Sequence, residues 1–432
     1  MYSLAKVSRG QSALKSAFSR SVSSKASSAG GVSVIGFENK GPAATSSLTV
    51  AIKAGSRYET TPGVAHVLKN FAFKATANAS TLRTARETEL YGGVLSAALT
   101  REHLFLSAEF LRGDEEHFLS VLASVLSSSQ FHGYELKELV LPVVQSESVF
   151  AQTSPSTLAL DVAHNLAFRK GLGNSLYASP HYPVTLDDVK SFAQGAFSKS
   201  NVAVIGSGIS TEALSQAVSS AFGSGTSSPT SGSLKTQSTS YFGGETRIPL
   251  DIHAPATSVP TMVIAYGSSS TASPDLKVLK HLLGGESSLK WTPGVSPLSQ
   301  AADKVPGSSA KAFLLPYSDA ALFGVVVSAP TSVQLAGLAK EVASIIKSAG
   351  KEAKDEEVKR AVAKAKFADA TSTETLEGLV AQAGPALFSG GEIKSESFSG
   401  VSASSISKAA SELLKSKPTV VAIGNVSVLP YA

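Results

Sequence analysis

Apolar and polar positions alternate over residues 48–54 and again over 261–266, which predicts two half-buried strands. A proline follows each, Pro62 and Pro274, placed to open a helix. Short apolar runs predict further strands over 104–110, 312–314 and 322–327. Apolar residues at helical spacing predict long helices over 115–128, 134–152, 332–348 and 355–366. The charged run KEAKDEEVKR from Lys351 marks the exposed start of the last of these. A final strand closes each half, NVAVIG from Asn201 and TVVAIG from Thr419. Strands followed by helices, without regular alternation of the two, predict an α+β fold with helices packed on mainly antiparallel sheets.

The pattern occurs twice. At one constant offset Thr49 meets Thr261, Ile52 meets Ile264, Gly55 meets Gly267, Ser56 meets Ser268 and Pro62 meets Pro274. At a slightly longer offset Leu104-Phe105 meets Leu322-Phe323, and Ile205-Gly206 meets Ile423-Gly424. Ordered matches of this kind predict an internal duplication. Between the halves, GSGTSSPTSGSLKTQSTS over 223–240 holds one large apolar residue, Leu234, and one charge, Lys235, so it reads as a flexible linker. The expected organisation is a leader over 1–25, a first domain over 38–222, the linker over 223–240 and a second domain over 241–432.

Charge sharpens the reading of the leader. The chain has 38 Lys and Arg against 33 Asp and Glu. Lys6, Arg9, Lys15, Arg20 and Lys25 account for the whole excess, and the first acid is Glu38. Leu4, Val7, Leu14 and Phe18 share one helical stripe in this Ser-rich, acid-free stretch, the pattern of a mitochondrial transit peptide cleaved somewhere in 20–30. The remaining body is formally neutral and lacks the basic footprint that nucleic-acid binding needs. With no cysteine, the chain has no disulfide, thiolate metal site or cysteine nucleophile. No run of about 18 apolar residues occurs, so no transmembrane helix is expected.

Candidate chemistry is sparse. GSGIST from Gly206 follows a strand but has two of the three glycines of a dinucleotide-binding turn and no acid about 20 residues on, so it reads as a strand-ending turn. His66, in GVAHVLKNFAF at the start of the first half's leading helix, is the position that carries weight, with Glu147 far downstream.

This stretch resembles the zinc-binding helix of the pitrilysin-type metallopeptidases, the family that includes the mitochondrial processing peptidase. Those enzymes carry H-x-x-E-H on a helix, after a Gly and before an aromatic, with a third ligand, Glu, about 76 residues further on. Two histidines four apart on one face bind zinc, and the glutamate between them activates the metal-bound water. Here Gly63 and His66 match, Phe71 and Phe73 supply aromatics, and Glu147 stands at the third-ligand spacing. Lys69 replaces the general base and Asn70 the second histidine. The resemblance therefore implies a vestigial site, His66, Lys69, Asn70 and Glu147, with no catalytic residue, no metal and no cofactor.

In the second half, LLGGESSLKWTPGVSPLSQ from Leu282, LPYSDAALFGV from Leu315 and the closing AIGNVSVLPYA resemble the family's non-catalytic core subunits of the cytochrome bc1 complex, ubiquinol–cytochrome c reductase. That likeness implies two homologous domains facing each other like a clam shell, and a structural role on the matrix side of the mitochondrial inner membrane. The partners it implies are core protein 1, cytochrome b, cytochrome c1 and the Rieske protein, in a dimeric complex. The alternative is the non-catalytic alpha subunit of the processing peptidase, which binds presequences. Its hallmark is a long glycine-rich loop, whereas the matching segment here, 284–294, holds only three glycines beside Leu289, Trp291 and Pro293.

Overall fold

The computed structural model describes residues 24–38, 44–223, 234, 238–250, 258–268, 271–285, 294–349, 354–389, 392–393 and 397–430. Most of the expected leader, and the linker apart from 223, 234 and 238–240, lie outside the described residues, as do Leu289, Trp291 and Pro293.

The first half contributes β1 (Ser24–Lys25), β2 (Ser27–Ala29), β3 (Val32–Phe37), β4 (Thr45–Ile52), β5 (Val94–Leu99), β6 (Leu104–Leu111) and β7 (Val202–Ser207). Its helices are α1 (Val64–Phe71), α2 (Thr81–Leu90), α3 (Glu115–Ser128), α4 (Leu141–Thr153), α5 (Pro155–Phe168), α6 (Leu186–Ala196) and α7 (Thr211–Gly223). A π turn over Leu136–Val140 leads into α4. The second half contributes β8 (Gly244–Pro249), β9 (Thr261–Ser268), β10 (Ser309–Pro316), β11 (Ala321–Ser328), β12 (Glu392–Ile393) and β13 (Thr419–Gly424). Its helices are α8 (Pro274–Leu283), α9 (Pro297–Asp303), α10 (Ser332–Ser348), α11 (Asp355–Ser372), α12 (Leu376–Ser389) and α13 (Ala403–Leu414).

The expected duplication is visible in the sheets. The first has strand order β2-β3-β7-β4-β6-β5 and the second β8-β13-β9-β11-β10, so five strands of each follow one plan. Both are antiparallel except for one parallel pair each, β3 with β7 and β8 with β13. The first sheet begins upstream of the residue-38 boundary drawn from the sequence. Val32, Val34 and Ile35 are buried in β3, but their alternation is masked by flanking Ser and Gly that continue the composition of the leader. Pro62 also stops short of its expected place, because Gly63, at φ 85°, caps α1 instead; in the second half Pro274 does open α8.

Period-2 geometry explains why the central strands are buried throughout. Leu48, Val50 and Ile52 of β4 face a core closed by α1, α3 and α7, whereas Ala51 points to the opposite face. In β9, Met262, Ile264 and Tyr266 face the second core, and Val263 and Ala265 point away. Each outward face is covered by a helix of the other half. Ala159, Ala163 and Ala167 of α5 pack on Val263, Ala265, Leu322 and Val421. Reciprocally, Val380, Ala383 and Leu387 of α12 pack on Ile35, Ala51, Phe105 and Ile205.

The small side chains let helix and sheet approach closely, and Ala163 is completely buried. Ala163→Leu therefore overfills the contact and should cost about 1–3 kcal/mol. A lowered denaturant midpoint with unchanged slope would be the expected reading. An unchanged midpoint would mean that the halves are not packed this way.

Candidate functional site: the His66 cluster and the clasp between the halves

Helix α1 is held at its start by Glu59, whose carboxyl group accepts from the backbone N–H of Gly63 at 3.1 Å and of Ala65 at 3.0 Å. That satisfies donors a helix N-terminus otherwise leaves open, while burial, opposed by these hydrogen bonds, pushes the Glu59 carboxyl up to about 8. Val64, Val67, Leu68 and Phe71 anchor the helix in the first core. The three- and four-residue spacing then sets His66, Lys69 and Asn70 on one face, opposite Glu147 of α4.

All four residues singled out by the sequence come together, but as a hydrogen-bonded cluster. Lys69 Nζ donates to Glu147 Oε1 at 2.7 Å and Oε2 at 2.9 Å, and Asn70 Nδ2 donates to Oε2 at 3.0 Å. His66 Nε2 lies 2.6 Å from Oε2. On the other side of the ring, the backbone N–H of Ala178 donates to His66 Nδ1 at 3.1 Å. Nδ1 is therefore the acceptor, and Nε2 carries the proton it donates to Glu147. Tyr177 meets the His66 ring edge-on, with centroids 5.6 Å apart.

These residues do not fit the family's zinc. The ammonium of Lys69 neutralises the carboxylate that would be a ligand and adds a positive charge where a cation would sit. The Nε2 of His66 is protonated toward Glu147, and turning it to a metal would set Nδ1–H against the N–H of Ala178. Catalytic zinc sites use three protein ligands, and Asn70 supplies an amide in place of the second imidazole. Among the described residues no group of three His, Asp or Glu side chains is arranged to hold a metal ion.

Electrostatics agree with an ion pair. Burial works against ionisation of Glu147, but the hydrogen bonds from Lys69, Asn70 and His66 and the charge of Lys69 outweigh it and hold the carboxyl at about 2. Burial dominates at His66 and lowers its pKa, with Lys69 adding to the effect and Glu147 opposing it, so the ring is neutral at physiological pH. Because the folded Glu147 lies below its ordinary value of 4.5, its contribution to stability is complete above about 4.5 and is lost as pH falls through about 2. Glu147→Gln should flatten that part of the acid limb in denaturation measured across this window. An acid limb identical to that of the native chain would contradict the ion pair.

A second polar cluster, which the sequence did not single out as a site, joins the halves. Arg57, just before α1, donates from Nη1 to Glu102 Oε1 at 2.7 Å and to Asp319 Oδ1 at 2.8 Å, and from Nη2 to Asp319 Oδ2 at 2.6 Å. Ser318 Oγ donates to Glu102 Oε1 at 2.6 Å, and Thr239, at the end of the linker, donates its backbone N–H to Asp319 at 3.1 Å. Beside it, His164 Nε2 lies 2.7 Å from the hydroxyl of Tyr317. The run YSDAALFGV therefore closes the two halves on each other. Its only signal in the sequence was its likeness to the core subunits.

Comparison with known proteins identifies the family. Residues 34–179 match the model of insulinase (peptidase family M16), and residues 183–365 match that of the peptidase M16 inactive domain. Cytochrome b-c1 complex subunit 2, mitochondrial, of Cryptococcus neoformans var. grubii is 73% identical over 432 residues, covering 100% of this chain and 99% of the relative. The protein of the same name from Yarrowia lipolytica is 37% identical over 408 residues, 94% of each chain. That from Homo sapiens is 31% identical over 304 residues, 68% of this chain and 65% of the relative. Two matching domain models in tandem and a full-length relative at 73% identity show that this chain belongs to peptidase family M16, the pitrilysin-type family.

Proposed function

We propose that the chain is core protein 2, a non-catalytic structural subunit of mitochondrial respiratory complex III, needed for its assembly and stability. The observation that carries this reading is the Lys69–Glu147 ion pair at 2.7 Å, in the place where a peptidase of this family would hold zinc. The name shared by the full-length relative and the more distant ones supports complex III as the setting. Those names lend nothing to the alternative, a processing-peptidase alpha subunit.

In this reading the protein sits on the matrix side of the inner membrane beside core protein 1 and contributes surface and fold. No described helix is long and apolar enough to cross a membrane. Redox chemistry belongs to partners such as cytochrome b, cytochrome c1 and the Rieske protein, in a dimeric complex. The leader is removed before Ser27, since a later cut would damage β2, whose Ala29 is buried. Mass spectrometry of the mature N-terminus should find a start between 20 and 27, and a later start would contradict this.

Complementation tests the role. Cells lacking the chain should lose most assembled complex III on native gels. The native chain and a Glu147→Gln variant should both restore it, because the cluster performs no chemistry. Full assembly without the chain, or failure of a stably folded Glu147→Gln variant, would overturn the proposal.

A further inference from the structure

The two elements that carry the His66 cluster, α1 and α4, have second-half counterparts in α8 and α11, and there the groove is open. A cavity of about 360 Å³ lies between them, lined also by residues of α9 and α10. That volume is within the range of about 300–1,000 Å³ used for small molecules. Its floor is apolar, with Leu283, Pro297, Ile345 and Ala361, and Val295 forms an exposed wall. Its charged lining is one-sided: Lys354, Arg360 and Lys364 against Glu357. Glu357 is turned toward the start of its own helix, where it accepts from the backbone N–H of Lys354 at 3.4 Å. Among the described residues, neither Arg360 nor Lys364 makes an ion pair.

Further cations lie behind this lining. Burial, then the charges of Lys280 and Lys364, hold His281 at about 4, so it is neutral and adds no charge to the site. Lys280 is itself lowered, by burial and then by Lys311 and Lys277. Cations so close together repel one another, and an anion that enters relieves the repulsion. Arg360 supplies a planar fork suited to the paired oxygens of a carboxylate or phosphate.

We propose that the α8–α11 groove is a binding site for a small amphiphilic anion, a carboxylate or phosphate joined to an apolar chain, with Arg360 and Lys364 taking the head and Leu283, Val295 and Ile345 the chain. The head group can come from a free acid or from a lipid, and the two differ in how they are presented. The site is independent of the His66 cluster, and it does not rest on the complex III assignment.

Calorimetric titration of the full-length chain with decanoate, with inorganic phosphate as the chain-less probe, tests this. Decanoate should bind one per chain, at least tenfold tighter than phosphate. R360A/K364A should weaken it at least tenfold, with an unchanged thermal midpoint because both side chains are exposed. Val295→Asn, at an exposed lining position, keeps the charges and should weaken decanoate but not phosphate. Co-sedimentation with phosphatidylcholine vesicles containing phosphatidic acid, lost in R360A/K364A, assigns a lipid head. Decanoate binding without sedimentation assigns a free acid. No decanoate binding, or binding unaffected by R360A/K364A, overturns the proposal.

Discussion

Arg57→Ala should destabilise the protein by about 3–5 kcal/mol, a large share of a typical domain's stability. The reason lies in what remains. The Arg57 side chain is 2% exposed and Glu102 is 8% exposed, so the substitution strands a carboxylate away from water and takes the bidentate partner from Asp319. Ser318 and Thr239 still donate, but two hydroxyls and two backbone N–H groups do not replace a guanidinium charge. Burial lowers the Arg57 pKa, yet its pairing with Asp319 and Glu102 more than compensates, so the guanidinium stays charged at any pH of interest. Because the clasp spans the halves, the loss should appear as earlier opening between them, read by hydrogen exchange in β11 and α5 before β4. Arg57→Met with Glu102→Gln and Asp319→Asn removes all three charges together and should recover most of the loss. A single substitution costing under about 1 kcal/mol would place the clasp among ordinary surface ion pairs.

The second large effect concerns zinc. Lys69→Glu with Asn70→His rebuilds H-x-x-E-H, with Glu147 as third ligand. If motif residues alone had closed the site, this double variant would bind zinc as tightly as a peptidase of the family. The Ala178 N–H bonded to His66 Nδ1 argues otherwise. A zinc-bound Nε2 needs the neutral ring to carry its proton on Nδ1, where it would face another donor. Outer-shell defects of this kind cost about 10–100-fold in metal affinity. The expected result is zinc binding in the double variant that is weaker by that factor than in an active family member, and no stoichiometric zinc in the native chain. Nitrogen chemical shifts of the native His66 ring should report the Nε2–H tautomer. Tight zinc in the native chain, or an Nδ1–H tautomer, would refute the account of the site.

What the sequence made legible follows from which physics is local. Alternation in β4 and β9 and helical periodicity in α3 and α10 depend on near neighbours, so those elements fall close to their expected bounds. Helix α5, with Ala159, Ala163 and Ala167 in one stripe, has no amphipathic contrast because it is sandwiched against a sheet of the other half. The same holds for α12, which also contains Pro385. Strand β8 is paired on one side only, at a sheet edge, and carries Glu245 and Arg247. In the site, spacing found His66, Lys69, Asn70 and Glu147, because a family motif fixes them relative to one another. Ala178 acts through a backbone N–H, and no side-chain pattern can announce that. The clasp joins Arg57 to Asp319, so only the folded arrangement of the two halves brings it together.

The central claim, a family scaffold now used as a structural subunit, is tested most directly by purification of the tagged chain from mitochondria in mild detergent, followed by a reduced-minus-oxidised spectrum. The b- and c1-type haem bands should co-purify with the chain in fixed proportion, with no peptidase activity accompanying them. A haem-free soluble pair that cleaves presequences would contradict the claim.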